Sequence, residues 1–303
     1  MIVLLVNASI DPITGGGTAT RTAQLARSIQ KDGEVECIIL STDQGLDETS
    51  KQQYSDLNTV LLPCLNDRFY IPYFSWDKLK GLVEKIDVIH LMSHWTIINA
   101  VVYLLARQLN KPYTFCPAGA LHIFGRSALL KNLYNLFIGK NLIKNASQCI
   151  AITNLEKNDF LDFNVQEELI SVIPNGIDEK DFCPNIEASN AFKNRFGLQK
   201  APYILFMGRL NRIKGPDILL KAYIKLSLEF PTLHLVFAGP DEGLGDQLRK
   251  EIKKVSLENR IHLIGYIEGY DKVGAYTGAE FLVVPSRREA MSIVALEAGA
   301  CGT

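Results

Sequence analysis

The sequence predicts an α/β protein built of two doubly wound units, and three observations predict it. Short apolar runs of strand length alternate with longer segments of helical period, the alternation restarts beyond Ala201, and 303 residues suit two domains at roughly 100 to 200 residues each. Strands joined by helices form parallel sheets covered on both faces, because a parallel pair needs a crossover long enough to hold a helix.

The run Ile2 to Val6 stops at Asn7 and has no cation before it, so it reads as a buried strand rather than as a signal peptide. Val35 to Leu40, Asp87 to Leu91, Tyr113 to Cys116, Gln148 to Ile152 and Glu168 to Ile173 read as further strands. Helical periods fill Thr18 to Lys31, Ile97 to Leu109 and Leu129 to Lys144. In the second unit Tyr203 to Met207, Leu233 to Ala238, Ile261 to Ile264 and Phe281 to Val284 are strands. Pro216 to Phe230, Leu244 to Lys254 and Tyr270 to Thr277 are the helices between them. Pro174, Gly176 and Pro184 punctuate a polar stretch without strand character, which puts the seam between Asn175 and Ala201 and suggests domains of residues 1–180 and 181–303.

Composition narrows the function classes. There are 32 basic and 33 acidic residues, a net charge of −1, with 47% hydrophobic and 21% charged side chains, which fits neither a disordered chain nor a strongly basic nucleic-acid binder. No stretch approaches the roughly 20 apolar residues that a membrane span requires. Six cysteines are scattered without a C-x-x-C pair, as expected of reduced thiols in a cytoplasmic protein. Near-neutrality hides one imbalance: Val88 to Leu155 contains no Asp or Glu but has Arg107, Lys111, Arg126, Lys131, Lys140 and Lys144, a local charge of +6 against −7 elsewhere. Solvated helix faces and attraction to an anionic partner both account for it.

Ligands of such sheets bind beyond the carboxyl ends of strands, so two facing units would hold one in a cleft lined by strand-to-helix loops. The first loop is Asp11-Pro-Ile-Thr-Gly-Gly-Gly-Thr18, ahead of the helix that contains Arg21. Gly15 and Gly17 match the start of a dinucleotide fingerprint, but Thr20 stands where its last glycine would be, and no Gly-Lys-Ser/Thr phosphate loop is present. A phosphate cradle at a helix N-terminus and a tight connection both remain open. The second loop, Phe206-Met-Gly-Arg-Leu-Asn-Arg-Ile-Lys-Gly-Pro216, carries Arg209 and Lys214 ahead of a helix opened by Pro216, which suits either a diphosphate or plain surface charge.

The third loop follows Phe281-Leu-Val-Val-Pro-Ser286 and contains Glu289 and Glu297, eight positions apart. On one continuous helix they would lie about 80° apart and need not share a face. With Glu289 in the loop and a helix starting near Met291, both carboxylates could reach a ligand, and the amides at that start, Met291 and Ser292, could meet an anion.

Together the Gly15-Gly-Gly17 loop, Ile173-Pro-Asn-Gly-Ile-Asp178, Gly208-Arg-Leu with Lys214-Gly215, Phe237-Ala-Gly-Pro240 and the Glu289 to Glu297 spacing resemble glycosyltransferase family 4 over nearly the whole chain. The resemblance implies the GT-B arrangement, two Rossmann-like domains facing across a cleft, the first binding the acceptor and the second the nucleotide-sugar donor. It implies a retaining transfer from a nucleoside-diphosphate sugar to a saccharide or lipid-linked acceptor in polysaccharide or glycolipid biosynthesis. No cofactor beyond the nucleotide sugar as co-substrate, no metal and no nucleic-acid partner is expected. By position, Arg209 and Lys214 would bind the diphosphate and stabilise the departing charge, Glu289 would contact hydroxyls of the transferred sugar, Glu297 would hold the ribose hydroxyls, and Gly16 and Gly17 would approach the phosphates.

Two departures stand out. Many family members carry a His or Arg after the strand matching Tyr113 to Cys116, where this chain has Ala118 or Gly119; His122 is the candidate to reach the reacting centre, with an ordinary loop histidine as the alternative. His94 lies near another strand end, where either the acceptor or packing would explain it. The second departure is the ending at Cys301-Gly-Thr303, which resembles a shortened second domain and predicts weakened stability. The helix Leu129 to Lys144 bears Leu129, Leu130, Leu133, Leu136, Phe137 and Ile143 among lysines, so either helix packing or a peripheral site on the anionic inner face of the membrane is expected. Two other classes stay open at this point: a sugar-nucleotide epimerase and a non-catalytic nucleotide-sugar-binding fragment.

Overall fold

In the computed structural model, which describes residues 1–31, 33–123 and 127–303, the chain divides into two compact units, Met1–Asn175 and Gly176–Thr303. Arg126 of the basic run lies outside the described residues.

Unit 1 runs β1 (Ile2–Ser9), α1 (Gly17–Gln30), β2 (Glu36–Thr42), α2 (Glu48–Gln52), β3 (Asn58–Leu62), β4 (Cys64–Asn66), β5 (Ile71–Pro72), α3 (Trp76–Glu84), β6 (Val88–Met92), α4 (Ile97–Gln108), β7 (Tyr113–Cys116), α5 (Ala128–Tyr134), α6 (Lys140–Lys144), β8 (Gln148–Ala151), α7 (Asn154–Asp162) and β9 (Ile170–Val172). Seven strands form one parallel sheet in the order β3-β2-β1-β6-β7-β8-β9. The reversal of order between β1 and β6 is the switch point at which such sheets leave a crevice. Both faces are covered, and the side-chain alternation of β1 shows why: Leu4 and Val6 enter one core with Ile89, Ile98 and Leu142, while Val3 and Leu5 enter another with Ala23 and Ala26.

Unit 2 runs α8 (Ile186–Arg195), β10 (Tyr203–Met207), α9 (Pro216–Leu226), β11 (His234–Ala238), α10 (Gly245–Lys254), β12 (Ile261–Gly265), α11 (Gly269–Thr277), β13 (Phe281–Leu282) and α12 (Ile293–Ala300). Its four parallel strands are ordered β12-β11-β10-β13. In β10, Ile204 and Phe206 pack on the α9 and α10 side while Tyr203 and Leu205 pack on the side of α8 and α11. The doubly wound α/β class read from the sequence is the observed one in both units.

Three features were not expected. Asn58–Leu62 is an edge strand, half-polar at its start and ended by Pro63, and so lacks the apolar run of a central strand. The small hairpin β4–β5 follows it. The expected helix Leu129 to Lys144 contains a π-helical turn, Asn135–Gly139, between α5 and α6, and it opens on a buried polar contact described below.

Candidate functional site

In unit 1 the Gly-rich loop joins β1 to α1. Asp11 is buried, and its carboxylate accepts the Thr14 amide at 2.7 Å and the Thr14 hydroxyl at 2.9 Å, which tightens the turn. A side chain at Gly15 would meet the Ser9 carbonyl at 2.5 Å, and Gly16 caps α1 at φ +57°, a left-handed position that favours glycine. Gly17 is the first residue of α1, whose start has no side-chain cap, so its first amides remain donors without an intrahelical partner. The loop is therefore both a tight connection and an open helix N-terminus. One turn on, Arg21 reaches the segment leaving the unit: its Nη1 donates to Asn175 Oδ1 at 2.5 Å and its Nη2 to the Ile173 carbonyl at 3.3 Å.

His122 lies in the loop after β7, more than half exposed, with its Nε2 2.5 Å from Asp159 Oδ1 on α7. The same loop is fastened by Glu156, whose carboxylate accepts the amides of Gly119 and, at 2.7 Å, Ile152. Burial raises the Glu156 pKa, opposed by those two amide hydrogen bonds. Neither Glu156 nor Asp159 was singled out from the sequence; Thr153-Asn-Leu-Glu156 is the helix-start pattern that could have found the first.

His94 is a packing residue. It is buried, its Nε2 is 2.9 Å from Asn135 Oδ1, and the rings of Trp95, Phe115 and Tyr134 surround it. Trp95 Nε1 donates to the same Asn135 oxygen at 3.0 Å, so one amide draws the helix inward at the π-helical turn. A side chain at Gly139 would strike that oxygen at 2.5 Å. Burial lowers the His94 pKa to about 4, and burial with the Arg21 charge lowers that of His90 to about 4.

In unit 2, three glycines bring three loops together. A Cβ on Gly239 would lie 2.1 Å from the Gly208 carbonyl, and one on Gly215, at φ +72°, would lie 2.2 Å from the Pro285 carbonyl. The loops after β10 and β11 are also paired by the bridge Leu210 with Asp241 and by the Glu242 amide on the Leu210 carbonyl at 3.3 Å. Every basic side chain named at this edge has a carboxylate partner. Arg209 Nη1 is 3.0 Å from Glu242, whose other oxygen accepts Asn211 Nδ2 at 2.7 Å. Lys214 Nζ is 2.7 Å from Glu289 Oε2, which also accepts the Ser286 hydroxyl at 3.1 Å. Arg287 grips Asp217 with two hydrogen bonds at 2.8 and 2.7 Å. The structure thus pairs Lys214 with Glu289, places Arg209 on the same loop as Lys214, and adds Glu242 as the partner of Arg209, which the Phe237-Ala-Gly-Pro240 run adjoins in sequence without identifying.

Glu289 lies in the loop and α12 begins at Ile293, with Met291 preceding its cap, Ser292, whose hydroxyl accepts the Ala295 amide at 3.4 Å. Glu297 stands apart from this edge. It is 1% exposed and accepts Lys272 at 2.8 Å and the Tyr276 hydroxyl at 2.6 Å, so its carboxylate anchors α12 to α11. No group of three or more His, Cys, Asp or Glu with metal-holding geometry occurs among the described residues.

Residues 15–181 match the family model described as Glycosyltransferase Family 4, and residues 189–303 the one described as Glycosyl transferases group 1. An uncharacterized glycosyltransferase of Methanocaldococcus jannaschii is 27% identical over 326 aligned positions, covering 100% of this chain and 79% of that protein. A D-inositol 3-phosphate glycosyltransferase of Kineococcus radiotolerans is 29% identical over 238 positions, covering 72% of this chain and 52% of that protein. The chain spans about half the length of the inositol-phosphate relatives it matches. Among solved structures, Anabaena HepE in complex with UDP and glucose superposes with a TM-score of 0.80 at 19% identity, over 100% of this chain and 79% of that one. Sucrose-phosphate synthase from Thermosynechococcus elongatus superposes with a TM-score of 0.76 at 21% identity, over 100% and 80% of the two chains. These structures share the two-unit GT-B fold.

Proposed function

This chain belongs to Glycosyltransferase Family 4, and we propose that it moves a sugar from a nucleoside-diphosphate donor to a saccharide or lipid-linked acceptor, in polysaccharide or glycolipid biosynthesis. Unit 2 binds the donor and unit 1 the acceptor. The observation that carries this reading is the Lys214–Glu289 pair at the carboxyl edge of the second sheet, where Gly215 lies against the Pro285 carbonyl and Arg209 stands on the same loop as Lys214.

As the glycosidic bond to phosphate breaks, negative charge grows on the leaving diphosphate. Arg209, Lys214 and the first amides of α9 neutralise it without a metal ion, because fixed cations and a helix N-terminus supply the positive field. Glu289 exchanges Lys214 for hydroxyls of the transferred sugar. The acceptor attacks from the face the diphosphate leaves and passes its proton to the departing phosphate oxygen, so configuration is retained. His122, oriented by Asp159, is assigned to the acceptor hydroxyl, and the open amides of Gly16 and Gly17 to the phosphates. Glu297 takes the ribose hydroxyls in place of Lys272. The match to two glycosyltransferase models favours transfer over epimerisation or bare binding. No helix among the described residues is long and apolar enough to cross a membrane; we place the protein at the cytoplasmic face as a peripheral protein.

Thermal-shift screening against UDP, GDP and ADP sugars tests the donor assignment. One donor class should stabilise the chain, and Arg209→Ala should weaken that binding by about 10- to 100-fold, the worth of a charge-assisted hydrogen bond. Stabilisation by no donor would overturn the reading.

A further inference from the structure

The segment from Ala128 to Lys144 is continuous helix about 25 Å long, α5 and α6 joined through the π-helical turn. Its inward side is fixed: Lys131 Nζ lies 4.4 Å over the Trp95 ring, the Tyr134 hydroxyl donates to the Thr96 carbonyl at 3.3 Å, Asn135 holds His94 and Trp95, and Leu142 and Ile143 enter the core. Its outward side is therefore fixed as well. No residue of α5 is buried. Leu129 is 73% exposed and Phe137 71%, with Leu130, Leu133 and Leu136 exposed between them. At spacings of three and four residues, Leu129, Leu133, Leu136, Lys140 and Lys144 follow one another along the helix, apolar at the first end and cationic at the second. A run of large apolar side chains this exposed contributes little to the core and marks a contact surface.

Charge decides what covers it. From Val88 to Leu155 there is no Asp or Glu, and Lys140 and Lys144 enter no ion pair among the described residues. Just beyond Lys144, Asn145 and Ser147 line a shallow cavity of about 300 Å³ with Arg107 and Lys111 and no carboxylate. Apolar side chains that insert at one end and cations level with phosphate at the other match the boundary layer of an anionic bilayer. We propose that Ala128–Lys144 is a membrane-contacting helix lying obliquely at the bilayer boundary, with Leu129, Leu133, Leu136 and Phe137 at its first end inserted among acyl chains and Lys140 and Lys144 at its second end on anionic headgroups. This deepens the peripheral placement above and rests on it, while standing independently of the donor chemistry.

The test is flotation of the chain with vesicles of phosphatidylcholine alone and of phosphatidylcholine mixed with phosphatidylglycerol. The chain should float with the mixed vesicles only, and less so as salt rises. Leu136→Ser/Phe137→Ser should reduce partitioning at least about tenfold, and Lys140→Gln/Lys144→Gln about fivefold per lysine. An unchanged melting temperature and an unchanged thermal shift with the UDP, GDP or ADP sugar that stabilises the parent, in both variants, show that fold and donor site are intact, so loss of flotation and loss of donor binding report on separate claims. Absence of flotation, equal flotation with neutral vesicles, or variants that float like the parent would each overturn the proposal. So would a stable dimer that Leu136→Ser/Phe137→Ser dissolves, since a second copy would then be the occupant.

Discussion

The molecule carries positive charge in two opposite ways. At the carboxyl edge of the second sheet, Arg209, Lys214 and Arg287 each have a carboxylate within 3.0 Å, whereas Lys140 and Lys144 at the end of the exposed helix in unit 1 have none among the described residues. Paired cations are held in a fixed geometry and present little net charge until a ligand replaces a partner, which suits recognition of one anion. Unpaired lysines on flexible stems present diffuse charge, which suits a surface of many anions. The difference teaches that position and pairing, rather than net charge, separate a binding site from an adhesive face.

The most disruptive way to break this comparison is Gly215→Ala. Its Cβ would lie 2.2 Å from the Pro285 carbonyl in a left-handed backbone position, so the loop bearing Lys214 must part from the loop bearing Glu289. Unit 2 should lose about 3 kcal/mol or more by denaturant unfolding, with donor binding lost and vesicle flotation retained. Donor binding equal to the parent would show that the glycine contact does not assemble the site.

Acid separates the units next. His90 and His94 are buried and kept neutral, with folded pKa values of about 4 against 6.5 unfolded. Between those values the unfolded chain binds more protons, so their stabilisation is complete above pH 6.5 and is lost as pH falls toward 4. Unit 1 should weaken by about 2 kcal/mol per histidine between pH 7 and 5. The raised Glu156 pKa works in the opposite sense over the lower part of that range. In unit 2, His234 and His262 hydrogen-bond at 2.9 Å, and burial lowers both pKa values. Urea midpoints followed across that range, with His94→Gln flattening the slope of unit 1, check this; a pH-independent unit 1 would refute it.

The smallest effect sharpens the role of pairing. Glu242→Gln removes the charge opposite Arg209 but keeps an acceptor, and should tighten binding of the donor that thermal-shift screening identifies about threefold, because an exposed pair of this kind is worth roughly 0.2 to 1 kcal/mol. Weaker binding in calorimetry would mean that the carboxylate aims Arg209 rather than competing for it.

Much of this was legible from residues alone. Central strands such as Tyr203–Met207 are short, continuous apolar runs bounded by glycine or proline, and that length and flanking favour a strand over a buried helix. The edge strand Asn58–Leu62 was not legible, because a strand covered on one side needs no such run. Arg209, Lys214 and Glu289 were singled out as site candidates through spacing and family resemblance. Glu242 was not, since its importance arises only when Gly239 lets its loop lie against the Gly208 carbonyl. Glu156, Asp159 and Asn135 were silent for the same reason: each acts on a residue 37 or more positions away.

By itself the sequence determined the alternation of strand and helix, the two-unit organisation, the loops that carry charge and the acid-free run, because these depend on local period, turn residues and composition. Tertiary structure alone decided which cations are paired, that Glu297 is enclosed by Lys272 and Tyr276, that His94 is core, and that the leucines of α5 face solvent. Burial and ion pairing are relations between residues far apart in the chain, fixed only when packing brings them within a few ångströms.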